Sequence, residues 1–310
     1  MNKIVIITGA LGFIGSNIAI EFKKNGYFVV GIGHGAASDV ELERLGIDEW
    51  HEADLTLEAL KKIPRKADTI VHCAGGSTVG ISLSDPYLDY HKTVNSTLEL
   101  LEFIRLNSPK TSIIYLSSAA VYGAKRDELI EEYDDLNPVS PYGFHKLASE
   151  SICKSYSQCF GIKVAIVRLF SIYGEGLTKQ LLWDASNKII AAANNEKILF
   201  HGTGDETRDW LHVKDVSELV AHLAALKFSF LILNGGYGRR ITVKEILNML
   251  LAGFDNNNLK ITFNNHSKEG DPKYYHSNVK AVFATNWHPK IKLEQGLNSY
   301  VKWFKKYKGI

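Results

Sequence analysis

Apolar positions along the chain follow two alternating rhythms. Short runs rich in β-branched residues, at Lys3–Thr8, Phe28–Ile32, Asp68–Ala74, Ser112–Ser118 and Lys163–Leu169, have the length and continuity of strands buried on both faces. Between them lie stretches with apolar residues at helical spacing, at Ser16–Asn25, Leu88–Leu106 and Tyr142–Phe160. This repeated succession predicts βαβ units, a parallel sheet and right-handed crossovers. After about Ser171 the rhythm breaks. Clusters such as Gly174-Glu175-Gly176, Gly202-Thr203-Gly204, Gly235-Gly236 and Asp255–Asn258 separate shorter elements. The predicted organisation is a sheet region over residues 1–170 and a smaller, partly interleaved region over 171–310 that covers one mouth of the sheet.

The first predicted strand runs directly into Gly9-Ala10-Leu11-Gly12-Phe13-Ile14-Gly15, and a helical pattern follows. Alone, three glycines fit a plain tight turn. Between a strand and a helix they let the backbone approach a pyrophosphate lying on the helix N-terminus.

Within Pro141–Lys146 a tyrosine and a lysine stand four residues apart, on one face of the predicted helix. An ammonium beside a phenol favours the phenolate, which makes the tyrosine usable as an acid or base near neutrality. Taken by themselves, Tyr142 and Lys146 equally fit an aromatic and a charge on a solvated helix.

Composition narrows the classes. The chain has 310 residues, with 36 basic against 34 acidic side chains and a net charge of +2, which gives no reason to expect a nucleic acid partner. Three cysteines, Cys73, Cys153 and Cys159, form no C-x-x-C pair and fit reduced structural thiols in a cytoplasmic protein. No metal-ligand spacing is present. No signal-peptide pattern opens the chain, and no apolar run approaches the ~18–20 residues of a membrane helix.

Taken together, Gly9–Gly15, Ser117-Ser118-Ala119-Ala120-Val121-Tyr122-Gly123 and Tyr142–Lys146 resemble the extended short-chain dehydrogenases/reductases, and within them the nucleotide-sugar epimerases, dehydratases and reductases. His72–Gly75, Asn95, Arg168–Gly174 and Arg208–Val213 fall in the same order as in that family, so the resemblance covers essentially the whole length. It implies a Rossmann-type doubly wound parallel sheet, with a dinucleotide domain at 1–170 and a mainly nucleotide-sugar-binding region at 171–310. It also implies a homodimer formed by the Leu88–Leu106 and Tyr142–Phe160 helices, through apolar residues such as Leu98, Leu101, Ile104, Ile152 and Phe160.

The resemblance further implies site roles. Ser118 would hydrogen-bond the sugar oxygen, Tyr142 would exchange its proton, and Lys146 would lower the Tyr142 pKa and hold the nicotinamide ribose. Gly9, Gly12, Phe13, Ile14 and Gly15 would face the pyrophosphate, His34 the adenosine ribose, Asp54 and Leu55 the adenine, and Ala74 and Asn95 the middle of the cofactor. Ser171, Arg208 and Lys268 would face the substrate, the last two its diphosphate.

Three departures shape the expected reaction. Gly31-Ile32-Gly33-His34-Gly35 closes the second strand without the carboxylate that NAD-preferring relatives place there, which favours NADP(H) and leaves NAD(H) possible. Ala119-Ala120 replaces the Asp-Glu pair of the dehydratases, and neither alanine can do acid or base work. Ser77 stands where 4-epimerases use a lysine to hold NAD. These features favour a nucleotide-linked 4-keto-6-deoxyhexose reductase serving surface-polysaccharide precursors. The alternative is a UDP-hexose 4-epimerase with tightly bound NAD. A non-catalytic NADP-sensing protein on the same fold is the less favoured reading, because Ser118, Tyr142 and Lys146 are all retained.

Overall fold

The computed structural model describes residues 3–310 apart from 65, 77, 126, 193–196, 256–257 and 267–271. The strands up to residue 170 are β1 (Ile4–Thr8), β2 (Phe28–Gly33), β3 (Glu49–Glu52), β4 (Thr69–His72), β5 (Ser112–Ser118) and β6 (Val164–Leu169). Those of the second half are β7 (Ser171–Tyr173), β8 (Lys197–Phe200), β9 (Thr207–His212), β10 (Phe230–Gly235), β11 (Arg240–Thr242) and β12 (Lys260–Phe263).

A seven-stranded sheet runs in the order β10-β6-β5-β4-β1-β2-β3. Every neighbouring pair is parallel. Residues alternate between two buried faces. Val5, Ile7, Val71 and Ile114 enter one core, and Ile6, Ile70, Ile113 and Tyr115 enter the other. Burial on both faces is why the strands read as unbroken apolar runs rather than alternating ones. The strand order reverses between β1 and β4, and ligands of doubly wound sheets bind at the carboxyl ends of the strands beside such a switch point.

The β11-β9-β7 and β12-β8 sheets lie in the second half of the chain. A third core, including Tyr173, Trp210, Leu247, Leu250 and Phe304, sits there. Phe13, in the turn after β1, packs against both this core and that of the main sheet.

Two expected elements differ. Strand β4 stops at His72, because the amides of Cys73 and Ala74 turn to the Thr8 hydroxyl at 3.1 and 3.0 Å. The helix expected over Leu88–Leu106 is helical throughout but opens into a π turn at His91–Asn95, between α-helical Pro86–Tyr90 and Ser96–Asn107. The Ser96 hydroxyl donates to the Lys92 carbonyl at 2.6 Å and Thr97 to that of Thr93 at 2.6 Å, competing with the regular ladder. Leu101 and Ile104, expected to serve a subunit contact, are both fully buried in the chain's own core, whereas Leu98 and Phe160 are exposed.

The helix Pro141–Phe160 starts at Ser140, whose hydroxyl accepts from the Gly143 amide, has proline in its first turn and ends at left-handed Gly161. A buried ion pair fixes its axis against the sheet. Arg168 on β6 donates to Glu150 at 3.0 and 2.7 Å, and Ser117 at the end of β5 donates to the same carboxylate at 2.5 Å.

Candidate active site

The carboxyl ends of β1, β4 and β5 open into one continuous cleft of about 2710 Å³. A pocket for one small ligand occupies roughly 300–1,000 Å³, so this cleft has room for two ligands end to end. Its floor at β1 is the glycine turn. Gly9 has φ +67, and a β-carbon on Gly15 would stand 2.2 Å from the Gly9 carbonyl oxygen, so the turn closes only because that side chain is missing. The helix Phe13–Lys24 begins there with no acidic residue in its first turn, leaving its amides and dipole to face an anion. This cradle fits a dinucleotide pyrophosphate.

The cleft brings together the sequence-predicted residues Gly9, Gly12, Phe13, Ile14, Gly15, His34, Asp54, Leu55, Ala74, Asn95, Ser118, Tyr142, Lys146, Ser171 and Arg208. Lys268 and Ser77 lie outside the described residues. At the far end, His34 Nε2 lies 3.2 Å from Asp54 Oδ1 and both side chains are exposed. Asn95, on the π turn, bonds to His91 Nδ1 at 2.9 Å.

Ser118, Tyr142 and Lys146 meet at the end of β5. Ser118 is the last strand residue and its hydroxyl caps the following turn, accepting from the Ala120 amide at 3.2 Å. Half-buried Tyr142 donates its own backbone amide to the Ser82 hydroxyl at 3.0 Å, which holds the start of its helix. Lys146 is buried. Its ammonium donates to the Leu116 carbonyl at 2.9 Å and lies 5.0 Å from the Tyr115 ring centre and 5.9 Å from that of Tyr142.

Burial pushes Lys146 down to about 8, so the ammonium is poised to lose its proton just above neutrality. Burial raises Tyr142 above the usual phenol range, the Ser118 hydroxyl opposes that rise, and the Asp89 carboxylate adds to it. The net shift is therefore opposite to the expected lowering, with desolvation its first cause. Nearby His72 is pushed down to about 3 by burial and by Lys146 and stays neutral, held between the Thr8 and Thr97 hydroxyls at 2.7 and 3.1 Å.

At the other end, Arg208 on β9 donates to the carbonyls of Thr207 and Pro272, both at 2.9 Å, with its guanidinium 5.8 Å from the Tyr275 ring centre. The neighbouring carboxylates are committed to backbone amides, Asp209 to those of Tyr237, Gly238 and Ser277 and Asp215 to those of Lys290 and Ile291. Sequence reasoning missed the wall formed by Lys179, Gln180 and Leu181. Gln180 takes φ 65, uncommon for a residue with a side chain, and begins the helix Gln180–Ala191. The Gly174–Gly176 cluster was the available signal, since it marks the turn that carries this wall.

The geometry has counterparts among known proteins. UDP-glucose 4-epimerase of Azospirillum brasilense is 30% identical over 79% of this chain and 76% of its own. UDP-glucuronate 4-epimerase of Thermodesulfobacterium geofontis is 26% identical over 97% and 95%. The structure of Thermus thermophilus UDP-glucose 4-epimerase, a complex with NAD, aligns with a TM-score of 0.85 at 25% identity, covering 98% of this chain and 99% of that one. Residues 5–230 match the NAD dependent epimerase/dehydratase family across the glycine turn, Ser118, Tyr142 and Lys146. The chain belongs to that family, whose members are extended short-chain dehydrogenases/reductases.

Proposed function

We propose that the protein is a 4-epimerase of a UDP-linked hexose, working with NAD. The observation that carries this reading is the meeting of Ser118, Tyr142 and Lys146 beside a dinucleotide cradle, in a chain aligned nearly end to end with a UDP-glucuronate 4-epimerase. The bound dinucleotide supplies the acceptor and then the donor of a hydride. Tyr142 takes the proton of the C4 hydroxyl as the C4 hydride leaves, and Ser118 holds the same oxygen. Once the ketone presents its other face, Tyr142 would return the proton to the same oxygen, leaving C4 inverted when a bound dinucleotide supplies the hydride. Lys146, anchored on the Leu116 carbonyl, holds positive charge beneath the phenol, and Arg208 faces the diphosphate.

The sequence preference for a 4-ketoreductase using NADP(H) rests on the missing carboxylate at Gly33 together with Ser77 in place of the lysine that 4-epimerases use. Relatives bearing 4-epimerase names, and one solved with NAD, support the epimerase instead. Neither activity needs acid or base at Ala119 or Ala120. Incubation with UDP-glucose and no added cofactor should yield UDP-galactose by NMR. A protein that leaves UDP-glucose and UDP-glucuronate unchanged, yet consumes NADPH with a nucleotide-linked 4-ketohexose, would overturn the reading.

The same reading includes a homodimer. Leu88, Leu98 and Phe160 are 41%, 41% and 53% exposed on the two long helical runs, the surface that a C₂ pair would bury. Sedimentation at micromolar concentration should give a species of twice the 34.6 kDa chain, and a monomer alone would contradict it.

A further inference from the structure

Asp89 lies behind the catalytic residues with its side chain fully buried. One oxygen, Oδ2, accepts from His145 Nδ1 at 2.5 Å. The other, Oδ1, is buried with no hydrogen-bond partner among the described residues. His145 sits on the same helix as Tyr142 and directly precedes Lys146, with its ring edge-on to Tyr90 at 5.5 Å.

The unpartnered oxygen faces the loop that follows β4. A β-carbon on Gly76 would stand 1.7 Å from Asp89 Oδ1 and 3.3 Å from the Thr93 hydroxyl. A β-carbon on Gly75 would stand 3.5 Å from Lys146 Nζ and 3.4 Å from the same hydroxyl. The carboxylate and the ammonium therefore flank two successive glycines around one threonine, whose oxygen accepts from the Gly76 amide at 2.8 Å. A side chain on Gly76 would displace the carboxylate, whereas at Gly75 the contacts are ordinary and it is the φ of +147 that disfavours a side chain.

We propose that Asp89, clamped by His145, is a positioning residue of the site: its carboxylate sets the charge around Tyr142 and Lys146 and packs the Gly75-Gly76 turn between them. The proposal rests on Tyr142 being the proton-exchanging group of the proposed reaction. A buried carboxylate on this side favours the protonated forms of both neighbours. It opposes the burial that lowers Lys146, and it holds Tyr142 as a phenol until the site is loaded. The other titratable groups around these three are His72 on β4, Cys73 just after it, Tyr115 on β5, Glu150 and Cys153 on the long helix, and Tyr90 and His91 on the run that carries Asp89.

The test reads the phenol directly and needs no turnover. Protein is mixed rapidly into alkaline buffers, phenolate absorbance is recorded before unfolding, and the Tyr142→Phe trace is subtracted to isolate Tyr142. Over this range Lys146 has already lost its proton, so the Asp89 charge acts on the phenol without it. Asp89→Asn, which keeps the shape, should lower the Tyr142 midpoint by roughly 1 pH unit. His145→Asn, which keeps an N–H in place of Nδ1, should leave the midpoint at the wild-type value. If Asp89→Asn fails to fold, the double variant Asp89→Leu/His145→Phe replaces the pair by apolar side chains and should show the same downward shift. A folded Asp89 variant with an unchanged midpoint would overturn the proposal. So would a shift in His145→Asn equal to that of Asp89→Asn, which would assign the effect to the imidazole. Failure of UDP-glucose turnover would count against the epimerase reading and leave this titration untouched.

Discussion

Lys146 donates its ammonium proton to the Leu116 carbonyl at 2.9 Å, across the gap between the long helix and the end of β5. That bond ties the cation near Tyr142 to the strand that presents Ser118.

Replacing Tyr142 by Phe removes the proton carrier and little else, since its backbone amide still bonds to Ser82. The variant should retain fold and cofactor while kcat falls at least ~10²-fold. Steady-state kinetics within a few-fold of wild type would remove the assigned role.

Lys146→Met should separate stability from function. Because the folded pKa is lowered from 10.5 to about 8, the unfolded chain binds more protons between those values, and stability rises with pH across that window. Below about 8 the native state carries the full cost of a buried charge. The Met variant should therefore be more stable than wild type at pH 7 by about 1–2 kcal/mol, after allowing for the lost bond to Leu116. The gap should close by pH 10. Thermal melts at the two pH values check this, alongside a loss of turnover.

Much of this arrangement was legible in the sequence, for definite reasons. Strand β5 is predicted over Ser112–Ser118 and found there, because its short length, its isoleucine pair and the Pro109 turn before it mark a strand where periodicity alone would not. Gly9–Gly15 and Tyr142–Lys146 were readable because each is a local pattern whose spacing is its chemistry. The π turn at His91–Asn95 was not, since it arises from serine and threonine hydroxyls competing with backbone bonds. Asp89 was also invisible. Its significance comes from Gly76 and His145, which are brought to it only by folding. The direction of the Tyr142 shift was misread because burial, the dominant cause, cannot be taken from a four-residue spacing.

Gly15→Ala tests the cradle. Its β-carbon would sit 2.2 Å from the Gly9 carbonyl oxygen, a backbone atom that cannot yield without opening the turn. Isothermal titration of NAD into nucleotide-stripped protein should show at least ~10²-fold weaker binding than to stripped wild type, since more than ~2.7 kcal/mol of contact depends on that turn. Unchanged affinity would show that the dinucleotide lies elsewhere.

Gly33→Asp probes the adenosine end. A β-carbon there would meet Trp50 at 3.4 Å and Gly9 at 3.5 Å, ordinary contacts that leave room for a carboxylate. The added charge should shift discrimination toward NAD over NADP by about 10-fold, through repulsion of the 2′-phosphate. Equal ratios of binding constants in wild type and variant would contradict the assignment of this loop.

In the proposed reaction a hydride leaves and returns within one catalytic cycle, so the cofactor need never exchange. Protein purified without added cofactor should be denatured and the released nucleotide identified and counted. NAD should be released at close to one per chain, from a preparation that interconverts UDP-glucose and UDP-galactose with nothing added. Little or no bound nucleotide, together with stoichiometric NADPH consumption on a nucleotide-linked 4-ketohexose, would contradict that reaction.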